Sequence, residues 1–147
     1  MSLQPHDSPG YLINHLARLF AASLQARIKP MGLSTGVFPV MLHLWQRDGQ
    51  TQRDLVERVG IEQATMANTL SRMERDGLIA RRPDPEDRRS RRIWLTERGS
   101  ALREKATSAA REENESVLGA LSQDERQQLV ALIRKTIKSF DGSDRPS

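Results

Sequence analysis

The chain has 147 residues, 37% hydrophobic and 29% charged, a composition typical of one soluble globular domain. Its formal net charge of +4 permits a polyanionic partner without requiring one. The absence of cysteine excludes disulfides, thiolate zinc sites and thiol redox sensing. No apolar run is long enough for a membrane span and the N-terminus lacks a secretion signal, so we expect a cytoplasmic protein without a membrane partner.

The first third of the chain predicts two helices. Apolar residues recur at three- and four-residue spacing from Tyr11 to Ile28, as on one face of a helix, and Lys29-Pro30 should end it. A second helix is expected from about Ser34 to Gln46. Pro39 inside it removes a backbone donor and should bend its first turns. The side chains expected on its buried side are Val37, Met41, Leu44 and Trp45.

The middle of the chain has the pattern of a helix-turn-helix. Thr51 to Asp54 can cap a short helix, and Gly60 supplies a left-handed turn residue. A longer helix follows, with Met66, Leu70 and Met73 as its apolar stripe. At 100° per residue the opposite face collects small and hydrogen-bonding side chains. These are Ala64, Thr65, Asn68, Ser71, Arg72 and Arg75, with Gln63 exposed near the start of the helix.

A β wing is predicted next. A strand beginning at Leu78-Ile79-Ala80 should pair with residues 91–95, and the acids of the connecting loop, Asp84, Glu86 and Asp87, are expected to stay ionised and solvated. Six arginines lie between positions 81 and 92: Arg81, Arg82, Arg88, Arg89, Arg91 and Arg92. Charge runs are usually solvated surface, but arginine is attracted to a narrow minor groove. Because this run follows a helix-turn-helix, we expect it to contact DNA.

The last third predicts helices and a dimer. An alanine-rich helix is expected from Thr96 to about Leu121, and a capping box at Ser122 to Glu125 should open a final helix. The tail, residues 141–147, should be disordered. The amphipathic stretches 10–28 and 100–140 find few partners in the compact core between them, so their apolar faces predict a two-fold homodimer.

The exposed face of the longer helix suits base reading. Amides such as Gln63 and Asn68 pair with adenine, and a guanidinium such as Arg72 pairs with guanine. Thr65 can touch a thymine methyl or a phosphate. A polar solvent face would look the same in isolation, but the preceding turn and the following wing favour DNA.

Other functional classes find no support in the residue pattern. The histidines His6, His15 and His43 do not stand at helical ligand spacing, so no metal site is predicted. There is no nucleophile motif and no phosphate-binding glycine loop, so we predict neither an enzyme nor a cofactor. The rival to DNA binding is a winged-helix protein-interaction scaffold. It would need exposed apolar or aromatic anchors, which the face through Ala64, Asn68, Arg72 and Arg75 lacks.

The stretch from Asp87 to Gly99 resembles the D-x-R…L-T-x-x-G signature of the MarR family of bacterial transcription regulators. Residues 51–55 and 65–79 resemble that family's helix-turn-helix, and the likeness spans about residues 10–140. It implies a single MarR-like domain over residues 1–147, mainly α with a small antiparallel β wing. The winged helix-turn-helix lobe would occupy residues 33–98, and dimerisation helices would occupy 10–32 and 99–140.

The resemblance also implies functional residues. Two recognition helices would enter successive major grooves of a pseudo-palindromic operator in double-stranded DNA. Arg89 would enter the minor groove and Asp87 would orient it. The full DNA-contacting set is then Gln63, Ala64, Thr65, Asn68, Ser71, Arg72, Arg75, Asp87, Arg88, Arg89 and Arg91.

Members of the family often release DNA when a small, frequently aromatic or phenolic, molecule binds between the dimer helices and the DNA-binding lobe. A repressor with such an effector is therefore expected. The candidate ligand contacts are Tyr11, His15, Phe38, Met41 and Trp45, each of which could instead be a core residue. Tyr11 and His15 are the stronger candidates because they lie four residues apart on one helix and have polar tips.

Overall fold

The computed structural model describes residues 4–143, with side chains through residue 141. Its residues form two compact units, one up to Glu113 and one from Asn114 onward. None of the described helices has the length and apolar character needed to cross a membrane. The helices are α1 (Pro9–Ile28), α2 (Phe38–Gln46), α3 (Gln52–Val59), α4 (Gln63–Arg75), α5 (Glu97–Ala101), α6 (Arg103–Val117) and α7 (Gln123–Ser143). The strands are β1 (Gln50–Thr51), β2 (Ile79–Pro83) and β3 (Arg91–Leu95).

Helix α1 ends at the predicted break. Ser8 caps its start by accepting a hydrogen bond from the Tyr11 amide at 3.4 Å. After Ile28 the chain tightens into a 3₁₀ turn, Lys29–Met31, and then reverses at Gly32, whose φ is +77°. A left-handed φ of this kind favours glycine because it has no Cβ to clash.

The expected start of α2 was wrong. The helix begins at Phe38 rather than near Ser34, so Pro39 stands in its first turn. Proline fits there because the amides of the first turn have no intrahelical acceptor, and its fixed φ suits the helix. Pro39 therefore starts this helix instead of bending it. The buried side is as predicted, with Val37, Met41, Leu44 and Trp45 all buried.

The helix-turn-helix is confirmed in detail. Thr51 Oγ1 accepts from the Asp54 amide at 3.1 Å, and the Asp54 carboxylate accepts from the Thr51 amide at 3.1 Å, a reciprocal capping box. Gly60 ends α3 with a φ of +76°. The α4 stripe of Met66, Leu70 and Met73 is fully buried, and each such side chain contributes about 1.5–3 kcal/mol by leaving water.

The sheet has one more strand than the sequence predicts. Its order is β1-β3-β2, all antiparallel, with Gln50 opposite Ile93 and Arg82 opposite Arg92. β1 has two residues, too few for any alternating pattern to appear. The buried Gln50 holds it in place by donating its side-chain amide to the carbonyl oxygens of His43 and Arg47 at 2.9 and 2.7 Å.

The alanine-rich stretch is two helices instead of one. α5 ends at Ala101, and α6 ends at Val117 rather than near Leu121. Gly99 and Ser100 lie before the first break and Gly119 lies just beyond the second end, and both residue types are weak helix formers. The capping box at the start of α7 is confirmed, since the Ser122 amide donates to the Glu125 carboxylate at 2.9 Å and the Glu125 amide donates to Ser122 Oγ at 3.2 Å.

The final helix runs past the expected boundary. α7 includes residues 141–143, which were predicted to belong to the disordered tail. Sequence patterns locate the ends of helices less well than their interiors, so the helix extends three residues beyond the predicted end. The rest of that tail, residues 144–147, lies outside the described residues.

Candidate nucleic-acid interface

Helix α4 turns its predicted reading face to solvent. The exposed side chains are Gln63, Ala64, Thr65, Asn68, Ser71, Arg72 and Arg75. Two of them have neighbours within the protein: Ser71 accepts a hydrogen bond from Arg81 at 3.2 Å, and Arg75 lies 3.3 Å from the Asp76 carboxylate. Because the opposite side of α4 is buried, this face has a fixed orientation on the core.

The end of α4 is also held by its own backbone. The Leu78 amide donates to the Met73 carbonyl at 2.9 Å and the Gly77 amide donates to the Glu74 carbonyl at 3.1 Å, with Gly77 at a φ of +74°. This arrangement satisfies carbonyl groups that a helix end otherwise leaves without partners. Helix α4 therefore passes into β2 through a hydrogen-bonded turn at Gly77.

The structure divides the six wing arginines into two groups. Arg81 lies against α4, 3.9 Å from the Glu74 carboxylate, and Arg92 donates to the Gly49 carbonyl at 2.9 Å. These two hold the wing to the rest of the fold, and neither belongs to the predicted set of DNA contacts. Within the described part of the chain, the other four form no ion pair and are exposed: Arg82, Arg88, Arg89 and Arg91.

Asp84 does not match its prediction as a solvated acid. Its side chain is only 8% exposed and lies 3.3 Å from Arg92, while its carboxylate accepts from the Glu86 amide at 3.0 Å. The amide hydrogen bond, assisted by Arg92, lowers the pKa of Asp84 below its ordinary value against the opposing effect of burial. Asp84 is thus a structural residue of the wing. Glu86 and Asp87 are exposed, as expected.

Asp87 contacts the backbone of Arg89 and not, as expected, its guanidinium. Its carboxylate accepts from the backbone amide of Arg89 at 3.0 Å, a two-residue turn that shapes the loop. The expected carboxylate–guanidinium pair is absent from the described contacts of these residues, which leaves the Arg89 guanidinium exposed. The acid therefore sets the direction of the Arg89 backbone, and the guanidinium stays available to a ligand.

The wing and the start of α4 meet in one cleft. Its volume is about 360 Å³, and its walls come from the start of α3, from Gln63 of α4 and from both wing strands. Its lining residues are Thr51, Gln52, Arg53, Gln63, Arg81, Arg89, Ser90, Arg91 and Ile93. The fold thus brings a predicted base-reading side chain and two predicted wing cations to the same face of the molecule.

The expected effector residues lie in two different environments. Phe38, Met41 and Trp45 are buried in the core, with the Phe38 and Trp45 rings edge to face at 6.1 Å. The indole nitrogen of Trp45 donates to the Gly99 carbonyl at 2.9 Å, so its polar atom is already satisfied. Tyr11 and His15, in contrast, are exposed on α1.

The contacts of Asp48 and Gly49 with the wing are not predictable from the sequence pattern. Asp48 accepts from the Leu95 amide at 2.8 Å, and Gly49 lies directly under the Trp94 ring. The Asp48-Gly49 pair is a recognisable turn signal. Its partners are more than forty residues away, and no local pattern identifies them.

Comparison with known proteins agrees with this geometry. The model of the MarR family matches residues 33–90. BpsR of Bordetella bronchiseptica, whose structure concerns regulation of its DNA binding by 6-hydroxynicotinic acid, is 31% identical with a TM-score of 0.79, over 86% of this chain and 96% of BpsR. PcaV of Streptomyces coelicolor in complex with its natural ligand is 26% identical with a TM-score of 0.81, over 94% of this chain and 97% of PcaV.

A more distant structure shows the same fold. A mutant MarR from E. coli, complexed with operator DNA, has a TM-score of 0.84 at 22% identity, over 92% of this chain and 99% of that one. The family model, the match to BpsR along nearly its whole length and the winged helix-turn-helix lead to one conclusion: this chain belongs to the MarR family of transcription regulators.

Proposed function

We propose that this protein is a homodimeric repressor that binds a pseudo-palindromic operator and leaves it when a small aromatic molecule binds. The observation that carries the proposal is the cleft in which Gln63 of α4 lies beside Arg89 and Arg91 of the wing. A recognition helix and a cationic wing on one face can contact a major groove and the adjacent minor groove together.

The chemistry of each part suits its groove. On α4, Gln63, Asn68 and Arg72 offer side chains that pair with base edges, while Thr65 can contact a methyl or a phosphate. On the wing, Arg88, Arg89 and Arg91 are exposed cations. The exposed face of α4 carries no aromatic or large aliphatic side chain, which disfavours the alternative of a protein-interaction scaffold.

Exposed apolar residues support the homodimer. In the first unit, α1 exposes Tyr11, Leu12, Ile13 and Leu19; in the second, α7 exposes Val130, Leu132, Ile133, Ile137 and Phe140. Clusters of this kind are uncommon on monomers and indicate contact surfaces. Contact with a second copy would cover each set, and a two-fold dimer would place two copies of α4 about one helical turn of DNA apart, ~10 bp.

The effector part of the proposal rests on α1 and on the relatives. Tyr11 and His15 lie one helical turn apart on an exposed face, with an aromatic ring and polar tips that suit a small aromatic ligand. BpsR is regulated by 6-hydroxynicotinic acid, and PcaV has been crystallised with its natural ligand. A cytoplasmic location also remains a prediction.

Selection from random duplex DNA, followed by binding to the recovered operator, tests the proposal. Two-fold symmetric sites with half-sites ~10 bp apart are expected. Arg89→Ala should then weaken binding, and it should lower the slope of log affinity against log salt by about one if its guanidinium neutralises a phosphate beside the groove; an unchanged slope would count against a groove role for Arg89. Arg111→Ala removes an equal charge from the exposed side of α6 and, compared at a protein concentration at which both proteins are dimers, should leave the slope unchanged. A parent protein that remains monomeric and selects no sequence would overturn the proposal.

A further inference from the structure

The segment 96–99 packs against and hydrogen-bonds to the residues that follow α4. Thr96 Oγ1 donates to the Gly77 carbonyl at 2.6 Å, and the Thr96 amide donates to the Leu78 carbonyl at 3.0 Å. Gly99 packs so closely on Leu78 that a Cβ at this glycine would overlap the Leu78 carbonyl oxygen. These residues include the threonine and glycine of the L-T-x-x-G motif, and each of the two contacts the residues that follow α4.

Arg98 lies at the centre of this segment and reaches two separate elements. Its Nη1 donates to the carbonyl oxygen of Asp76, the C-cap of α4, at 2.6 Å. Its Nη2 lies 3.0 Å from where a Cβ of Gly32 would stand. Gly32 is the left-handed residue between α1 and α2. The guanidinium therefore fills the space between the end of α4 and the turn that leads into α2.

We infer that Arg98 is a positioning residue that fixes the C-terminal end of α4 relative to the Gly32 turn, so that operator affinity depends on it without a DNA contact. The inference rests on the proposed function. A cation at the C-terminal end of a helix satisfies an unpaired carbonyl and complements the negative end of the helix dipole. The planar guanidinium adds direction, because its two nitrogens meet different elements at once.

The consequence for DNA reading follows from rigidity. Base recognition needs several side chains of α4 to meet their edges together, so a small tilt of the helix spoils more than one contact. Lysine keeps the charge of Arg98 but has a single nitrogen, which cannot bond the Asp76 carbonyl while also filling the space at Gly32. Operator binding therefore depends on the planar shape of the Arg98 guanidinium as well as on its charge.

The experiment compares Arg98→Lys, Arg98→Ala and Arg103→Ala on the operator and on random duplex DNA, each across a range of salt concentrations. Both Arg98 variants should lose roughly tenfold in operator affinity, comparable with one good base contact. Their affinity for random DNA and their salt slope should equal those of the parent. Arg103→Ala, which removes an exposed charge from α6, should match the parent. Full affinity in Arg98→Lys, or a slope lowered by about one, would overturn the inference.

Hydrogen exchange supplies a readout that needs no DNA. In Arg98→Lys, hydrogen exchange should quicken at the amides of Gly32, Gly77 and Leu78, which form hydrogen bonds in the Gly32 turn and at the end of α4. Exchange in β3 should not change. Gly32→Ala should quicken exchange at the same amides, because its Cβ would lie 3.0 Å from Nη2 and because its left-handed φ of +77° strains any residue with a Cβ. Since both single changes affect the same contact, the double variant should lose less stability than the sum of the two single losses. Unchanged exchange in Arg98→Lys would refute the positioning role of Arg98. This measurement needs no operator, so its outcome can be distinguished from a failure of the proposed function.

Discussion

Gly49→Ala tests how the wing is held on the helix-turn-helix. A Cβ at position 49 would lie 2.5, 2.6 and 2.9 Å from three ring carbons of Trp94, and Gly49 has a φ of +69°. The left-handed backbone costs a non-glycine residue about 1–2 kcal/mol, and overpacking adds about 1–3 kcal/mol. Together they predict a loss of about 2–5 kcal/mol, which lowers Tm by roughly 6–20 °C at this chain length.

Gly60→Ala is the matched control. Gly60 has a similar φ of +76°, and a Cβ there would meet nothing within 4 Å among the described residues, so only the backbone cost of about 1–2 kcal/mol applies. Melting should be followed by circular dichroism at one protein concentration, because association shifts Tm. Adding Trp94→Ala to Gly49→Ala should remove the overpacking part. Equal losses in the two single glycine variants would refute the role of the Trp94 contact.

Three further substitutions test other parts of the structure. Asn68→Ala should change the preferred base at one operator position, at a cost of about 1–3 kcal/mol, in a competition assay with single-base operator variants; equal weakening of every sequence would mean a backbone contact. Thr51→Ala removes the hydroxyl that caps α3 and should cost about 1 kcal/mol in denaturant melts, whereas Thr51→Ser should cost little.

The third concerns the buried acid Glu113, whose pKa is raised from 4.5 because burial penalises its charged form, with Arg27 opposing the effect. Its contribution to stability is full below the unfolded pKa and is lost as pH rises through the folded pKa. Glu113→Gln should therefore stabilise the fold by up to about 1 kcal/mol near pH 7 and by nothing at pH 3. Denaturant melts across this pH range would contradict the assignment if the gain were constant.

Elements held by short-range contacts were predictable. The capping box of Thr51 and Asp54, the turn at Gly60 and the buried stripe of α4 each depend on residues within one or two helical turns. The errors at Pro39 and at the break between α5 and α6 also have local causes, namely helix-start geometry and weak helix formers, which a periodicity argument weighs too lightly.

The residue types of the candidate site were predictable from the sequence. The different contacts that the individual residues make were not. Six arginines within a short run have the same side chain and the same formal charge, so the pattern does not show which of them make contacts within the fold. Strand register separates them: Arg92 reaches Gly49 from 43 positions away, and Arg81 meets Ser71 on α4 from ten positions away. Asp84 became buried for the same reason, because β3 carries Arg92 to it.

The amino-acid sequence alone was therefore enough to predict the helix-turn-helix, the wing and their cationic character, because backbone propensity and hydrophobic periodicity act between near neighbours. Folding in three dimensions decided which cations stay free for a polyanion, which acid supports the wing, and how Arg98 meets both Gly32 and Asp76. These outcomes depend on where distant backbone groups come to lie, and hydrogen bonds and ion pairs form only at that distance and direction.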